Sequence, residues 1–202
     1  MNPAANLFFV GPMGAGKTTI GRRVAELLGL PFFDLDHEIE THCGAEIPLI
    51  FELEGEGGFR QRESTVLAEL AARDGIALAT GGGAVLAEAN RQLLRARGFV
   101  VYLETTVDEQ LERLSRDRKR PLLAAPDRRE RLSGLAVQRE AHYREVADYT
   151  LRAGHRGSTA QVAQRLAAAL GNVWQRQRAD IAPDHAGSDR TGSPQAGSDQ
   201  AA

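Results

Sequence analysis

Cysteine is almost missing from this 202-residue chain: Cys43 stands alone, so no intramolecular disulfide can form. A reducing compartment is the simplest setting for such a chain. Excess charge is missing too. The formal net charge of -2 leaves no global field to recruit nucleic acid or a membrane surface, so any basic site must be local. No apolar run approaches the roughly 20 residues that span a bilayer. The start, MNPAANLFFV, lacks both a basic segment and a long apolar segment, so no secretory leader is expected there. A cytoplasmic protein is expected. Large apolar residues vanish from Asp184 to Ala202, where Gly, Ser, Asp, Pro and Ala dominate and AGSD occurs twice. Such a segment buries too little apolar surface to offset its ordering entropy, and a disordered tail is predicted over 176–202. The folded domain is assigned to 1–175, with Trp174 docking the end of the last helix.

What is present is an alternation. Hydrophobic residues make up 42% of the chain, enough for one ordinary core. Strands are predicted at 7–10, 32–35, 76–80, 99–103 and 148–152. Amphipathic helices are predicted at 17–29, 59–73, 87–97, 106–116, 127–146 and 158–170. Near-continuous apolar strands alternating with helices predict an α/β fold, a parallel sheet covered on both faces.

The stretch GPMGAGKTT, Gly11 to Thr19, follows the apolar run Leu7 to Val10. Gly11, Gly16, Lys17 and Thr18 match G-x-x-x-x-G-K-[ST], with a strand before and a helix after. Glycines let the backbone turn several N–H groups inward onto anionic oxygens, and the following helix adds its positive N-terminal end. Lys17 can reach β- and γ-phosphates, and the Thr18 hydroxyl can ligate Mg²⁺. Two features common in other P-loop proteins are absent: a guanine-reading N-K-x-D motif, and an acidic residue closing the third strand, which ends ALATGGG instead.

FFDLDHE supplies the missing acids. Asp34 and Asp36, two apart at a strand end, share one face at the sheet edge where ligands sit. One carboxylate could stand near the metal and the other accept a hydroxyl's hydrogen bond. Asp36 as the cap of a helix beginning at His37 stays open as an alternative, and His37 reads as a surface residue. In GEGGFRQRE the glycines predict a loop and Arg60 opens a helix, either solvated or aimed at an anion. Gly81 to Gly83 permit close backbone approach to a ligand, or merely a flexible turn. Arg139 lies on the predicted helix 127–146, neither plainly surface nor plainly core. A basic cluster broken by Pro121 and Pro126 predicts a mobile lid over 116–126 that can bring an arginine to the γ-phosphate.

Taken in order, GxxGxGKT, D-L-D, IFELEGEGGFRQRE, TGGG, KRPLL and QREAHYREVAD closely resemble the shikimate kinase family across about residues 5 to 170. The resemblance implies a five-stranded parallel sheet of order 2-3-1-4-5 with flanking helices. It implies transfer of a phosphoryl group from ATP to the 3-hydroxyl of shikimate, on the route to chorismate and the aromatic amino acids. It places Gly14, Ala15, Gly16, Lys17, Thr18 and Thr19 on the ATP phosphates, and Arg113 and Arg156 on the adenine side. Arg120 of the lid approaches the transferring group and, with Lys17 and Asp36, makes the catalytic set. Thr18 holds Mg²⁺, with Asp34 near the metal through water. Asp36 hydrogen-bonds ring hydroxyls as the candidate base, Arg60 and Arg139 pair with the shikimate carboxylate, and the Gly82 backbone contacts a hydroxyl. A monomer is expected, with no nucleic-acid or membrane partner. Two rivals remain: a gluconate kinase-like sugar-acid kinase, and a regulatory ATP-binding module without an acceptor.

Overall fold

The computed structural model describes residues 5–115, 127–152 and 157–174. The predicted lid with Arg120, the residue Arg156 and the predicted tail lie outside the described residues. Along the rest, strands and helices alternate: β1 Asn6–Val10, α1 Lys17–Leu28, β2 Phe32–Asp34, α2 Leu35–Cys43, α3 Ile47–Ala71, β3 Ala77–Ala79, α4 Glu88–Arg97, β4 Gly98–Leu103, α5 Val107–Leu114, α6 Arg128–Val146, β5 Tyr149–Leu151 and α7 Thr159–Val173. A single 3-10 turn, Ala84–Leu86, follows β3. The strands form one parallel sheet of order β2-β3-β1-β4-β5, the order expected.

Strand geometry sends alternate side chains to opposite faces, and β1 feeds two cores accordingly. Phe8 and Val10 join Leu78, Val100 and Tyr102 against α2, α3, α4 and α6, with Leu35, Ile39, Leu67, Leu94 and Tyr143. Leu7 and Phe9 join Ala77, Phe99, Val101 and Leu103 against α1 and α7, with Val24, Leu166 and Leu170. Each fully buried Leu or Phe contributes about 1.5–3 kcal/mol relative to exposure. Trp174 closes the second core as expected, buried with its ring 6.1 Å from that of Phe99. β1 is central, with β3 on one side and β4 on the other, so the chain reverses its winding direction at β1. The carboxyl ends of β1, β2 and β3 therefore open onto a crevice where loops can hold a ligand.

Two local expectations are corrected. The predicted strand 32–35 stops at Asp34, and Leu35 already belongs to α2. The cap of that helix is Asp34, whose side chain accepts from the Asp36 N–H, so Asp36 is not the cap and does not share a strand face with Asp34. The glycine cluster at 55–58 breaks the helix at Gly55 alone rather than forming a longer loop, and Arg60 lies inside the second helical stretch rather than opening it. The helical stretch begins at Ile47, and only Gly55 departs from helical geometry, at φ 69° and ψ -174°. Glycine in a helix interior costs about 1 kcal/mol against alanine. Here tertiary contacts outweigh that cost. Phe51 and Phe59 lie 4.7 Å apart across the kink. Arg62 bridges it with paired bonds of 2.8 and 2.6 Å to Glu54.

Candidate active site

The phosphate cradle is built from backbone. Gly16 caps α1 in the left-handed region at φ 91°, with no side chain capping the helix and no acid in its first turn. By contrast α5, α6 and α7 begin with Thr106, Asp127 and Ser158 side chains accepting from their first-turn amides. The open end of α1 thus keeps its amides and its positive dipole end for an anion. Lys17 is mostly buried, and its Nζ donates to the carbonyls of Gly11 and Pro12, both at 2.8 Å, which holds the ammonium inside the loop. Ala15 is buried in the core while Thr18 and Thr19 are exposed at the mouth. Arg113 reaches over from α5, its Nη1 donating to the Gly14 carbonyl at 3.0 Å and to Thr105 Oγ1 at 3.1 Å. Met13, Leu114 and Leu132 pack beneath that flank.

The end of β2 meets this cradle. Thr18 Oγ1 donates to Asp34 Oδ2 at 2.6 Å, and the other oxygen of Asp34 accepts from the Asp36 amide at 3.1 Å. The helix cap is therefore also the acid that meets the phosphate loop. Two hard oxygen donors suit Mg²⁺, which keeps several waters and shares substrate phosphates rather than sitting in an all-protein cage. No cluster of three or more metal-ligating His, Cys, Asp or Glu exists among the described residues.

The acceptor side is built from buried side chains around the turn Gly81 to Gly83. Gly81 and Gly83 make room for them, and Gly82 lies beside Arg139. A Cβ at Gly81 would lie 2.5 Å from Glu63 Oε1 and 3.0 Å from Asp36 Oδ1, and one at Gly82 would lie 3.7 Å from Arg139 Nη1. One at Gly83 would collide with the Arg60 guanidinium. Residues from α2, α3 and α6 thus converge on the exit of β3. Arg60 Nη1 donates to Glu63 Oε2 at 2.6 Å and Nη2 to Glu56 Oε1 at 3.1 Å. Glu63 is 1% exposed, and burial pushes its carboxyl up while Arg60 pulls it back. For Arg60 burial works against the charge, but Glu63 and Glu56 outweigh it and the guanidinium is raised.

Arg139 differs. It is 4% exposed and makes no salt bridge to a carboxylate among the described residues, whereas Arg60 makes two; the Nε of each has no hydrogen-bond partner there. Burial lowers its guanidinium, and the charge of Arg60 lowers it further, although the neighbouring Tyr143 oxygen and the charge of Glu56 oppose this. Leaving a buried cation without a counter-ion is costly. Two guanidiniums face one glycine turn and only Arg60 is salt-bridged, so the pair could take an anion; forked donors suit a planar carboxylate.

Lys17, Thr18, Asp34 and the loop residues Gly14 to Thr19 therefore gather at one end of the crevice, with Arg113 on their flank. Asp36, Arg60, Gly82 and Arg139 gather at the other. His37 is exposed, as expected. Sequence reasoning gave no role to Glu63 or Tyr143. The i,i+3 spacing of Arg60 and Glu63 on an apolar helix face was the available sign of the first. Nothing local marks the second.

A cradle for polyphosphate next to a pocket for a small anion defines a P-loop kinase acting on a small acid. The particular family follows from comparison. The model of the shikimate kinase family matches residues 13–170. The shikimate kinase of Bordetella avium strain 197N is 61% identical over 148 residues, spanning 73% of this chain and 71% of that protein. The shikimate kinase of Xanthomonas campestris pv. campestris strain 8004 is 53% identical over 171 residues, spanning 83% and 95%. The solved shikimate kinase from Acinetobacter baumannii, in complex with shikimate, superposes with a TM-score of 0.79 at 52% identity, covering 84% of this chain and 94% of that one. The chain belongs to the shikimate kinase family.

Proposed function

We propose that this protein transfers the γ-phosphoryl group of ATP to the 3-hydroxyl of shikimate, releasing ADP and shikimate 3-phosphate. Family membership supports the reaction, and the observation that carries the site assignment is Arg139, a buried guanidinium without a carboxylate partner on the turn that also faces Arg60. The substrate carboxylate supplies the missing counter-charge. With the acid end held there, the ring hydroxyls reach the Gly82 backbone and Asp36, and Asp36 accepts the proton of the attacking hydroxyl. The α1 amides and Lys17 hold the β- and γ-phosphates in line with that hydroxyl, and Lys17 neutralises charge that develops on the transferring group. Thr18 and Asp34 are the oxygen donors that would hold Mg²⁺. Such an ion would offset the negative charge of the phosphate oxygens. By resemblance, Arg120 adds a cation at the transferring phosphoryl group, and Arg113 and Arg156 flank the adenine. The protein acts on these small molecules as a cytoplasmic monomer. The domain is residues 1–175, and 176–202 is a tail outside the chemistry.

Paired substitutions test the assignment. Arg139→Lys keeps the charge but loses the fork, and a charge-assisted hydrogen bond is worth about 1.5–3 kcal/mol. The KM for shikimate should rise about ten- to a hundredfold with little change in the KM for ATP. Asp36→Asn should act mainly on kcat, with smaller losses in binding. If neither pattern appears, the acceptor site is elsewhere.

A further inference from the structure

Tyr143 lies one helical turn after Arg139 on α6, on the same buried face. Its ring stacks on Tyr102 of β4, with centroids 5.2 Å apart and planes at 22°. Its hydroxyl does two things at once. It donates to the carbonyl oxygen of Gly82, and it neighbours the Arg139 guanidinium, whose charge it favours. Burial, foremost, keeps the phenol protonated far above neutral pH, so the donor to Gly82 is always present.

The carbonyls further along the turn are tied from α4: Asn90 Nδ2 donates to Ala84, and Arg91 Nη1 to Val85 and Leu86. Gly82 is the point at which α6 takes hold of the same turn. A glycine has no side chain to pack, so the hydrogen bonds of its backbone set the orientation of its peptides.

We propose that Tyr143 is a positioning residue for the acceptor: it sets the Gly82 backbone and the Arg139 guanidinium at a fixed separation, and so selects acids whose hydroxyls lie at the matching distance from the carboxylate. The proposal rests on the reading that Gly82 and Arg139 contact the acceptor. Tyr143 itself touches neither ATP nor the reacting oxygen.

The test is Tyr143→Phe, which keeps the ring and its stacking on Tyr102 and removes only the hydroxyl. Tyr102→Phe, which removes a hydroxyl from the stacked partner, is the control for general loss of core polarity. The net worth of one hydrogen bond predicts a rise in the shikimate KM of about threefold to tenfold for Tyr143→Phe. The ATP KM should stay within error and kcat should fall less than KM rises. Added to Arg139→Lys, Tyr143→Phe should raise the shikimate KM by less than it does alone, because part of its action passes through that guanidinium. An unchanged shikimate KM in Tyr143→Phe, with Arg139→Lys still impaired, would overturn the positioning role and leave the site assignment standing. Unchanged KM values in both variants would overturn the site assignment and the proposal with it. Equal changes in both substrates' KM values, matched by Tyr102→Phe and by a fall in Tm, would overturn it in favour of a purely structural hydroxyl.

Discussion

The two ends of the crevice are made in different ways. The phosphate end is one contiguous stretch, Gly11 to Thr19, whose binding groups are mostly backbone amides presented by a helix that lacks any side-chain cap. The acceptor end is assembled from α2, α3, α6 and the turn after β3, and its binding groups are long charged side chains held by one another. A backbone cradle reads phosphate and little else, so it is compatible with many acceptors. On the proposed assignment the side-chain end carries the choice of substrate, through a buried Arg139 that has no salt bridge among the described residues. Chemistry common to P-loop kinases sits in a local motif, while the proposed specificity sits where tertiary structure must bring distant residues together.

Damage to the first end should be the more severe. Lys17→Ala removes the cation that the Gly11 and Pro12 carbonyls hold in the loop, and kcat should fall by orders of magnitude with the fold intact by circular dichroism. Near-normal turnover would remove the phosphate end from the account.

The second end should fail selectively. A methyl group at Gly83 would occupy the space of the Arg60 guanidinium, which Glu63 and Glu56 hold in place. Gly83→Ala should therefore raise the shikimate KM about tenfold, the scale of one charge-assisted bond, and leave the ATP KM unchanged. An equal rise in both would show that the turn serves the whole crevice rather than one end.

Asp34 lies at the junction, so its effect should be smaller and metal-dependent. Asp34→Asn keeps an acceptor for the Asp36 amide but loses the charge beside Thr18. The Mg²⁺ concentration giving half-maximal activity should rise several-fold, about a factor of five if the lost charge is worth near 1 kcal/mol. An unchanged Mg²⁺ titration would assign the metal to other donors.

The smallest effect expected is on stability. Burial raises the Glu63 carboxyl above its ordinary value of 4.5, so the folded protein keeps a proton there that the unfolded chain has already released. That contribution to stability is complete below the ordinary value and is lost as pH rises from there through the raised folded value. Glu63→Gln cannot titrate, so its denaturation midpoint should lack this downward slope across the mildly acidic range. A slope that persists in the variant belongs to another group.

The same contrast governs what could be read from sequence. The P-loop was legible because its strand, glycines, lysine and helix are adjacent; apolar runs gave a parallel sheet, while the strand order came from the resemblance alone. Arg60, Arg139 and Asp36 were assigned by resemblance, because their convergence on the glycine turn depends on sheet order and not on any local pattern. Asp34 as helix cap was missed because a D-x-D pair offers two capping candidates, and the choice between them is made by where β2 stops pairing with β3. The helix through Gly57 and Gly58 was missed because the contacts that outweigh glycine's poor propensity are partly tertiary, notably the bridge between Arg62 and Glu54 across the kink. Tyr143 gave no sign at all, since a lone tyrosine on an amphipathic helix reads as core until its hydroxyl is seen against Gly82.

The central claim is that specificity belongs to the side-chain end, and that its substrate is shikimate. Release of ADP, followed by a coupled assay with shikimate, with gluconate and with no acceptor, addresses it directly. The account predicts rapid release with shikimate and only background release in the other two. Equal release with gluconate would reassign the pocket to a broader class of sugar acids, and release independent of any acceptor would show that the pocket does not choose the substrate.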